Sequence, residues 1–212
     1  MKARIFEETL PLVEYAVASS PLAGESECGD LHVMKIVPRG LLMAVLDGVG
    51  HGSEAAAAAH IASAVLTFHA GEGVISLIQH CHQRLKGTRG VVASLVALDG
   101  VENTVTSISI GNVEAIHMRS SPEVPQGCDR LVMLAGLLGY RLPALRASVS
   151  PITPGDLLIF ATDGIRAGFP HAFGIEDRPV RIAEYICSNF RKDDDDGLVL
   201  VARYRGSACD HR

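Results

Sequence analysis

Leu41-Leu42-Met43-Ala44-Val45-Leu46-Asp47-Gly48-Val49-Gly50-His51-Gly52-Ser53-Glu54-Ala55-Ala56-Ala57-Ala58-Ala59 joins three kinds of local order in one stretch. Six consecutive apolar residues predict a strand buried on both faces. The run stops abruptly at an Asp-Gly pair and a glycine-rich turn. Ser53 then suits an N-cap, Glu54 falls in the first turn where the helix dipole favours an acid, and the alanines have high helix propensity. A strand, a carboxylate at its end and a helix of about 16 residues are therefore expected in succession, the helix ending near Gly71.

Outward from this stretch, Val13 to Ser19 and Leu31 to Val37 read as strands, and the Pro21, Gly24 and Gly29 between them predict a hairpin. Gly40 separates the second of these from the Leu41 strand. Gly73 to Lys86 places Val74, Leu77, Ile78, Cys81 and Leu85 at helical spacing. Strands follow at Val91 to Leu98, Thr104 to Ile110, Val113 to Met118, Leu131 to Leu134 and Leu157 to Ala161. Asp99-Gly100 and Gly111-Asn112 between them imply antiparallel neighbours. A helix around Val180 to Phe190 and a strand Leu198 to Tyr204 complete the order. Strands segregated from helices point to an α+β fold, with antiparallel sheets carrying helices on their outer faces.

The chain has 212 residues, 48% of them hydrophobic and 20% charged, which fits one large domain, 1–212, and excludes general disorder. Ala55 to Phe68, interrupted by His60, falls short of the roughly 18 to 20 residues needed to span a bilayer. Met1-Lys2-Ala3-Arg4 leads into Ile5-Phe6-Glu7-Glu8 with no apolar signal segment, so a cytoplasmic location with no membrane contact is expected. With 19 basic against 24 acidic side chains, net charge −5 and no basic run, nucleic-acid binding is disfavoured. Cys28, Cys81, Cys128, Cys187 and Cys209 are widely spaced without a Cys-x-x-Cys pair and read as reduced, mostly buried thiols.

Met43-Ala44-Val45-Leu46-Asp47-Gly48 and Leu158-Ile159-Phe160-Ala161-Thr162-Asp163-Gly164 share one design, a buried strand ending in Asp-Gly. Gly29-Asp30 and Asp193-Asp194-Asp195-Asp196 each precede a strand. Carboxylates gathered at strand ends repel one another unless a cation neutralises them, and oxygen-only ligands select Mg²⁺, Mn²⁺ or Ca²⁺. Glycine after each Asp permits a tight turn, and the Gly48 carbonyl is available as a further ligand. Asp99-Gly100 lacks this pattern and reads as an ordinary β-turn. Gly48-x-Gly50-x-Gly52 does not have dinucleotide-loop spacing, and no Walker A sequence occurs. His51, beside Asp47 and with a reference pKa near 6.5, is a candidate general acid. His80, Cys81 and His82 fall on different helix faces and form no chelate among themselves. His60 and His69 read as ordinary helix residues.

Gly29-Asp30, Val45-Leu46-Asp47-Gly48-Val49-Gly50-His51-Gly52 opening a helix, Ala161-Thr162-Asp163-Gly164, and Asp195-Asp196 leading into Leu198 to Arg203 together resemble the metal-dependent (PPM, type 2C) protein serine/threonine phosphatases, most of all their bacterial SpoIIE-type branch. The resemblance implies a β-sandwich flanked by helix pairs (α-β-β-α). It implies two Mn²⁺ or Mg²⁺ ions, Asp47 bridging them, with Gly48, Asp163 and Asp195 completing the sites and Asp30 holding metal-bound water or ligating directly. Asp47 and Asp163 would be essential to catalysis, which would be direct hydrolysis by a metal-activated water without a covalent phospho-enzyme. The compact chain, lacking a sensor domain, is similar to stand-alone members acting in the stressosome, which implies a phosphorylated STAS-type regulatory protein as partner and a monomeric enzyme. Two other readings stand beside this one: a catalytically silent partner-binding module, and a metal-dependent phosphohydrolase of small molecules.

Overall fold

The computed structural model describes residues 3–120, 128–169 and 173–206. Its elements are β1 (Arg4–Thr9), β2 (Val13–Ser20), β3 (Asp30–Val37), β4 (Gly40–Gly48), α1 (Ser53–Phe68), α2 (Val74–Arg84), β5 (Val91–Asp99), β6 (Thr104–Ile110), β7 (Glu114–Met118), β8 (Cys128–Arg130), β9 (Met133–Leu134), β10 (Ser148–Pro151), β11 (Leu157–Ala161), α3 (Pro179–Phe190) and β12 (Gly197–Tyr204). One sheet runs β1-β2-β12-β11-β7-β8 and the other β10-β6-β5-β4-β3, with β9 parallel to β6. The remaining pairings are antiparallel.

Alternation along the strands explains the layers. Leu41, Met43 and Val45 of β4 face β2, β11 and β12 across the sandwich, packing with Tyr15, Val17, Phe160, Leu200 and Tyr204. Leu42, Ala44 and Leu46 point the other way, onto α1 and α2 through Ala58, Ala62, Leu66, Leu77 and Ile78. The unbroken apolar run of β4 is thus buried on both faces, and each fully buried Leu contributes about 1.5–3 kcal/mol. α3 covers the outer face of the other sheet with Ile182, Ala183, Ile186 and Cys187. The result is the α-β-β-α sandwich, with the helix pair α1 and α2 on one side and, among the described residues, α3 alone on the other.

Several local expectations are corrected. Val13 to Ser19 and Leu31 to Val37 do not form a hairpin: β2 pairs with β1 and β12, while β3 pairs with β4 in the opposite sheet. The turn at Gly111-Asn112 likewise crosses between sheets, because β6 and β7 belong to different ones. Leu131 to Leu134 is not one strand; its place is taken by β8 and β9, again in separate sheets. The cap of α1 is Gly52, at φ 77°, and Ser53 is already helical. Cys81 and Cys187 are buried, but Cys28 and Cys128 are half-exposed, and all four are free thiols. Cys209 lies outside the described residues. No described helix is long and apolar enough to cross a membrane.

Candidate metal and phosphate site

Asp30 opens β3 and Asp47 lies near the end of β4, and the register of that hairpin sets them directly opposite one another. Their sheet ends meet those of the other sheet, where β11 runs out into Thr162-Asp163-Gly164 and Asp195-Asp196 lead into β12. Asp163 and Asp195 are half-buried, while Asp193 and Asp194 are exposed. Four chain segments thus deliver acids to one end of the sandwich.

The electrostatics confirm that they share one field. Burial and the neighbouring Asp47, with smaller contributions from Asp196 and Asp195, hold the Asp30 carboxyl well above its ordinary pKa. Burial, then Asp163, Asp195 and Asp196, push Asp47 up to about 8. Asp195 is raised by burial and by Asp163. No lysine, arginine or histidine among the described residues forms an ion pair with Asp30, Asp47, Asp163 or Asp195. Uncompensated acids in a single cluster with hard oxygen donors fit divalent Mg²⁺ or Mn²⁺, which would restore ionisation of every ligand.

The two glycines do not serve the tight turns expected of them. Neither Gly48 nor Gly164 has a positive φ. A Cβ on Gly48 would collide with the Ala55 carbonyl, and one on Gly164 with the Asp196 carbonyl. Glycine at these positions therefore lets α1 close onto the end of β4, and lets the acidic run close onto Asp163. Gly50, by contrast, does need the left-handed region, at φ 88°.

Thr162 and Asn112 escaped the sequence reading as supporting residues, and Asp196, quoted there beside Asp195, takes a supporting place as well. Thr162, 2% exposed, donates its hydroxyl to Asp30 Oδ2 at 2.7 Å and accepts the Leu198 N–H at 2.9 Å. Asn112 Nδ2 donates to Asp163 Oδ2 at 2.8 Å. Asp196, 2% exposed, accepts the N–H groups of Leu22 and Gly29, each at 2.7 Å, tying the loop before β3 to the loop before β12. The adjacent Thr-Asp in the sequence is a usable hint for Thr162; Asn112 and Asp196 act on partners 51 or more residues away and leave no local signal. His51 sits on the exposed loop between β4 and α1, its Nδ1 2.8 Å from Glu25 Oε1.

Residues 38–205 match the family described as Stage II sporulation protein E (SpoIIE), a span that starts after Asp30. The phosphoserine phosphatase RsbX of Bacillus subtilis (strain 168) is 30% identical over 176 residues, covering 81% of this chain and 85% of RsbX. A chain solved in work on the bacterial stressosome superposes with a TM-score of 0.81 at 31% identity, covering 90% of this chain and 99% of that one. A crystal structure of RsbX with magnesium gives a TM-score of 0.84 at 24% identity, covering 95% and 100%. With four segments converging on one carboxylate cluster in an α-β-β-α sandwich and this extent of shared sequence, the chain belongs to the SpoIIE family of metal-dependent, PPM-type serine/threonine phosphatases.

Proposed function

We propose that the protein, as a single cytoplasmic, monomeric domain of residues 1–212, hydrolyses phosphoserine or phosphothreonine on a folded regulatory protein of the stressosome STAS kind. The observation carrying this reading is the cluster of Asp30, Asp47, Asp163 and Asp195, which no cationic side chain among the described residues neutralises through an ion pair. These four carboxylates and the Gly48 carbonyl would hold two Mg²⁺ or Mn²⁺ ions, Asp47 lying between its neighbours from both sheets. When bound, the ions supply an activated water and offset the charge of the phosphoryl oxygens.

The chain's own residues do the rest. Thr162 fixes the direction of Asp30, Asn112 that of Asp163, and Asp196 locks the two loops that present Asp30 and Asp195. His51, on the open side of the loop, delivers a proton to the departing serine or threonine oxygen, with Glu25 orienting its ring. A site at the exposed end of a sandwich accepts a phosphorylated side chain displayed by another folded protein. Contacts remote from phosphorus would then orient the phosphate.

The test is hydrolysis of an aryl phosphate and of a phosphorylated STAS-domain protein, with Mg²⁺ or Mn²⁺ and with a chelator. Asp47→Asn and Asp163→Asn are expected to lower turnover by several orders of magnitude. The phosphoprotein should show a far higher kcat/KM than a short phosphopeptide from the same region. Wild-type turnover in either variant sinks the two-ion site; equal efficiency on protein and peptide sinks the folded substrate while leaving the metal chemistry standing.

A further inference from the structure

At the far end of the helical hairpin, a second group of potential ligands comes together. His69 follows the last residue of α1, its N–H donating to the Val65 carbonyl, and the Glu72 N–H donates to the His69 carbonyl at 2.8 Å. Residues 69–72 therefore form a closed turn. His69 Nδ1 lies 2.7 Å from Glu72 Oε1, and His80 Nε2, from α2, lies 3.0 Å from Glu72 Oε2. The two imidazoles stack with centroids 4.2 Å apart and an 11° angle between planes. Beneath them Leu66, Ala70, Val74, Leu77 and Ile78 pack in one buried cluster, so the backbone carrying all three side chains is fixed.

Each of the three residues offers a ligand atom, and these atoms all lie within 4.8 Å of one another. Donors about 2.0–2.2 Å from one tetrahedral ion lie about 3.3–3.6 Å apart, so rotation of the side chains need draw them closer by only about 1 Å. Both imidazoles already direct a nitrogen at the same carboxylate, so a cation entering there replaces two hydrogen-bonding protons without moving the main chain. Two nitrogens and one carboxylate oxygen are borderline donors. They favour Zn²⁺, Co²⁺, Ni²⁺ or Cu²⁺ over the Mg²⁺ and Mn²⁺ suited to an all-oxygen cluster.

We propose that His69, Glu72 and His80 form a site for a late first-row divalent ion, of which Zn²⁺ is the type, with a coordination position left open to water. The 16 residues of α1 separate it from the Asp47 loop by roughly 24 Å at 1.5 Å per residue, so the two sites cannot share an ion. An ion here pins the end of α1 to α2. Its entry must also part the stacked rings, since two imidazoles on one tetrahedral ion splay apart.

The test is calorimetric titration of Zn²⁺ into the full chain in millimolar Mg²⁺, which fills the carboxylate cluster, for wild type, His69→Ala, His80→Ala and Asp47→Asn. The expected result is one equivalent of Zn²⁺ whose Kd is unchanged in Asp47→Asn and weakened at least tenfold in each histidine variant. Both histidine variants should keep wild-type circular dichroism and Mg²⁺-dependent turnover. With Co²⁺ as probe, visible absorption bands should develop in wild type and Asp47→Asn and be lost in His80→Ala. Absence of Zn²⁺ binding in wild type, unchanged Zn²⁺ affinity in the histidine variants, or loss of the equivalent in Asp47→Asn overturns the proposal.

Discussion

Thr162→Val deletes one hydroxyl and little else, because valine keeps the branching and nearly the volume of threonine. The hydroxyl donates to Asp30 and accepts from the Leu198 N–H, and both Thr162 and Asp30 are buried. Loss of the hydrogen bond to the buried Asp30 carboxyl costs about 1–3 kcal/mol, and the orphaned N–H at the start of β12 costs about 1–3 kcal/mol. Part of this is offset by burying a methyl in place of a hydroxyl, leaving a net loss of about 3 kcal/mol. For a chain of this size that corresponds to a fall in Tm of roughly 6–12 °C. Thr162→Ser keeps the hydroxyl and should lose only about 1 kcal/mol. Urea unfolding in chelator, with unchanged m-values, measures both. Aryl phosphatase activity should require more Mg²⁺ in the valine variant, since Asp30 is no longer held in place. The reasoning is refuted if Thr162→Val stays within about 1 kcal/mol of wild type, or if the serine variant falls as far as the valine variant.

Two further outcomes test the neighbouring acids and the fold beneath them. Single Asn substitutions along residues 193–196 should separate two roles: Asp195→Asn loses metal activation with stability intact, and Asp196→Asn, which can accept only one of the Leu22 and Gly29 N–H bonds through oxygen, loses about 1–3 kcal/mol of stability. The exposed Asp193 and Asp194 should tolerate Asn in both measurements, and a dominant loss of metal activation at either would shift the ligand assignment. Asp156 gives a pH prediction: burial alone would raise its pKa, but hydrogen bonds from His117, Ser120 and Thr153 hold it well below the usual carboxylate range. Its contribution is therefore complete above the unfolded-state value near 4 and fades as pH falls below that. Urea unfolding between pH 5 and pH 3 should show a shallower acid loss for Asp156→Asn than for wild type, and equal slopes would remove Asp156 from the account.

What was legible in the sequence was whatever depends on near neighbours. The double-faced burial of β4, the helix that follows it, and the Asp-Gly ends of β4 and β11 all follow from residue order within a dozen positions. Pairing across the sandwich does not. Pro21, Gly24 and Gly29 announce a change of direction, but whether β2 turns onto β3 or crosses to the other sheet depends on β12, whose Leu200 pairs with Val17. Gly111-Asn112 misled for the same reason: a short turn suits a hairpin and a sheet crossing equally well. Arg4–Thr9 went unread as a strand because β1 is exposed along its whole length and carries no alternating burial signal. The half-buried His69 and His80 looked unrelated because their meeting depends on how α1 and α2 fold back at residues 69–73.

The same division governs the candidate site. The acids could be found because each ends or begins a strand, yet the groups that make their crowding tolerable are remote in sequence. Burial and the neighbouring acids raise the pKa values of Asp30, Asp47 and Asp195, so the metal-free fold must stabilise a cluster that works against it. Thr162 gives Asp30 a donor, Asn112 gives one to Asp163, and each oxygen of Asp196 accepts a main-chain N–H group. Gly48 and Gly164 complete the arrangement by having no Cβ, which lets helix and acidic loop approach the two strand ends. Thr162, Asn112, Asp196 and the missing Cβ of Gly164 each support the position of a proposed ligand without being one, whereas Gly48 would also offer its own carbonyl. Loss of any of them is therefore expected to weaken metal affinity before it abolishes turnover at saturating metal, a graded behaviour that distinguishes a positioning residue from Asp47 or Asp163.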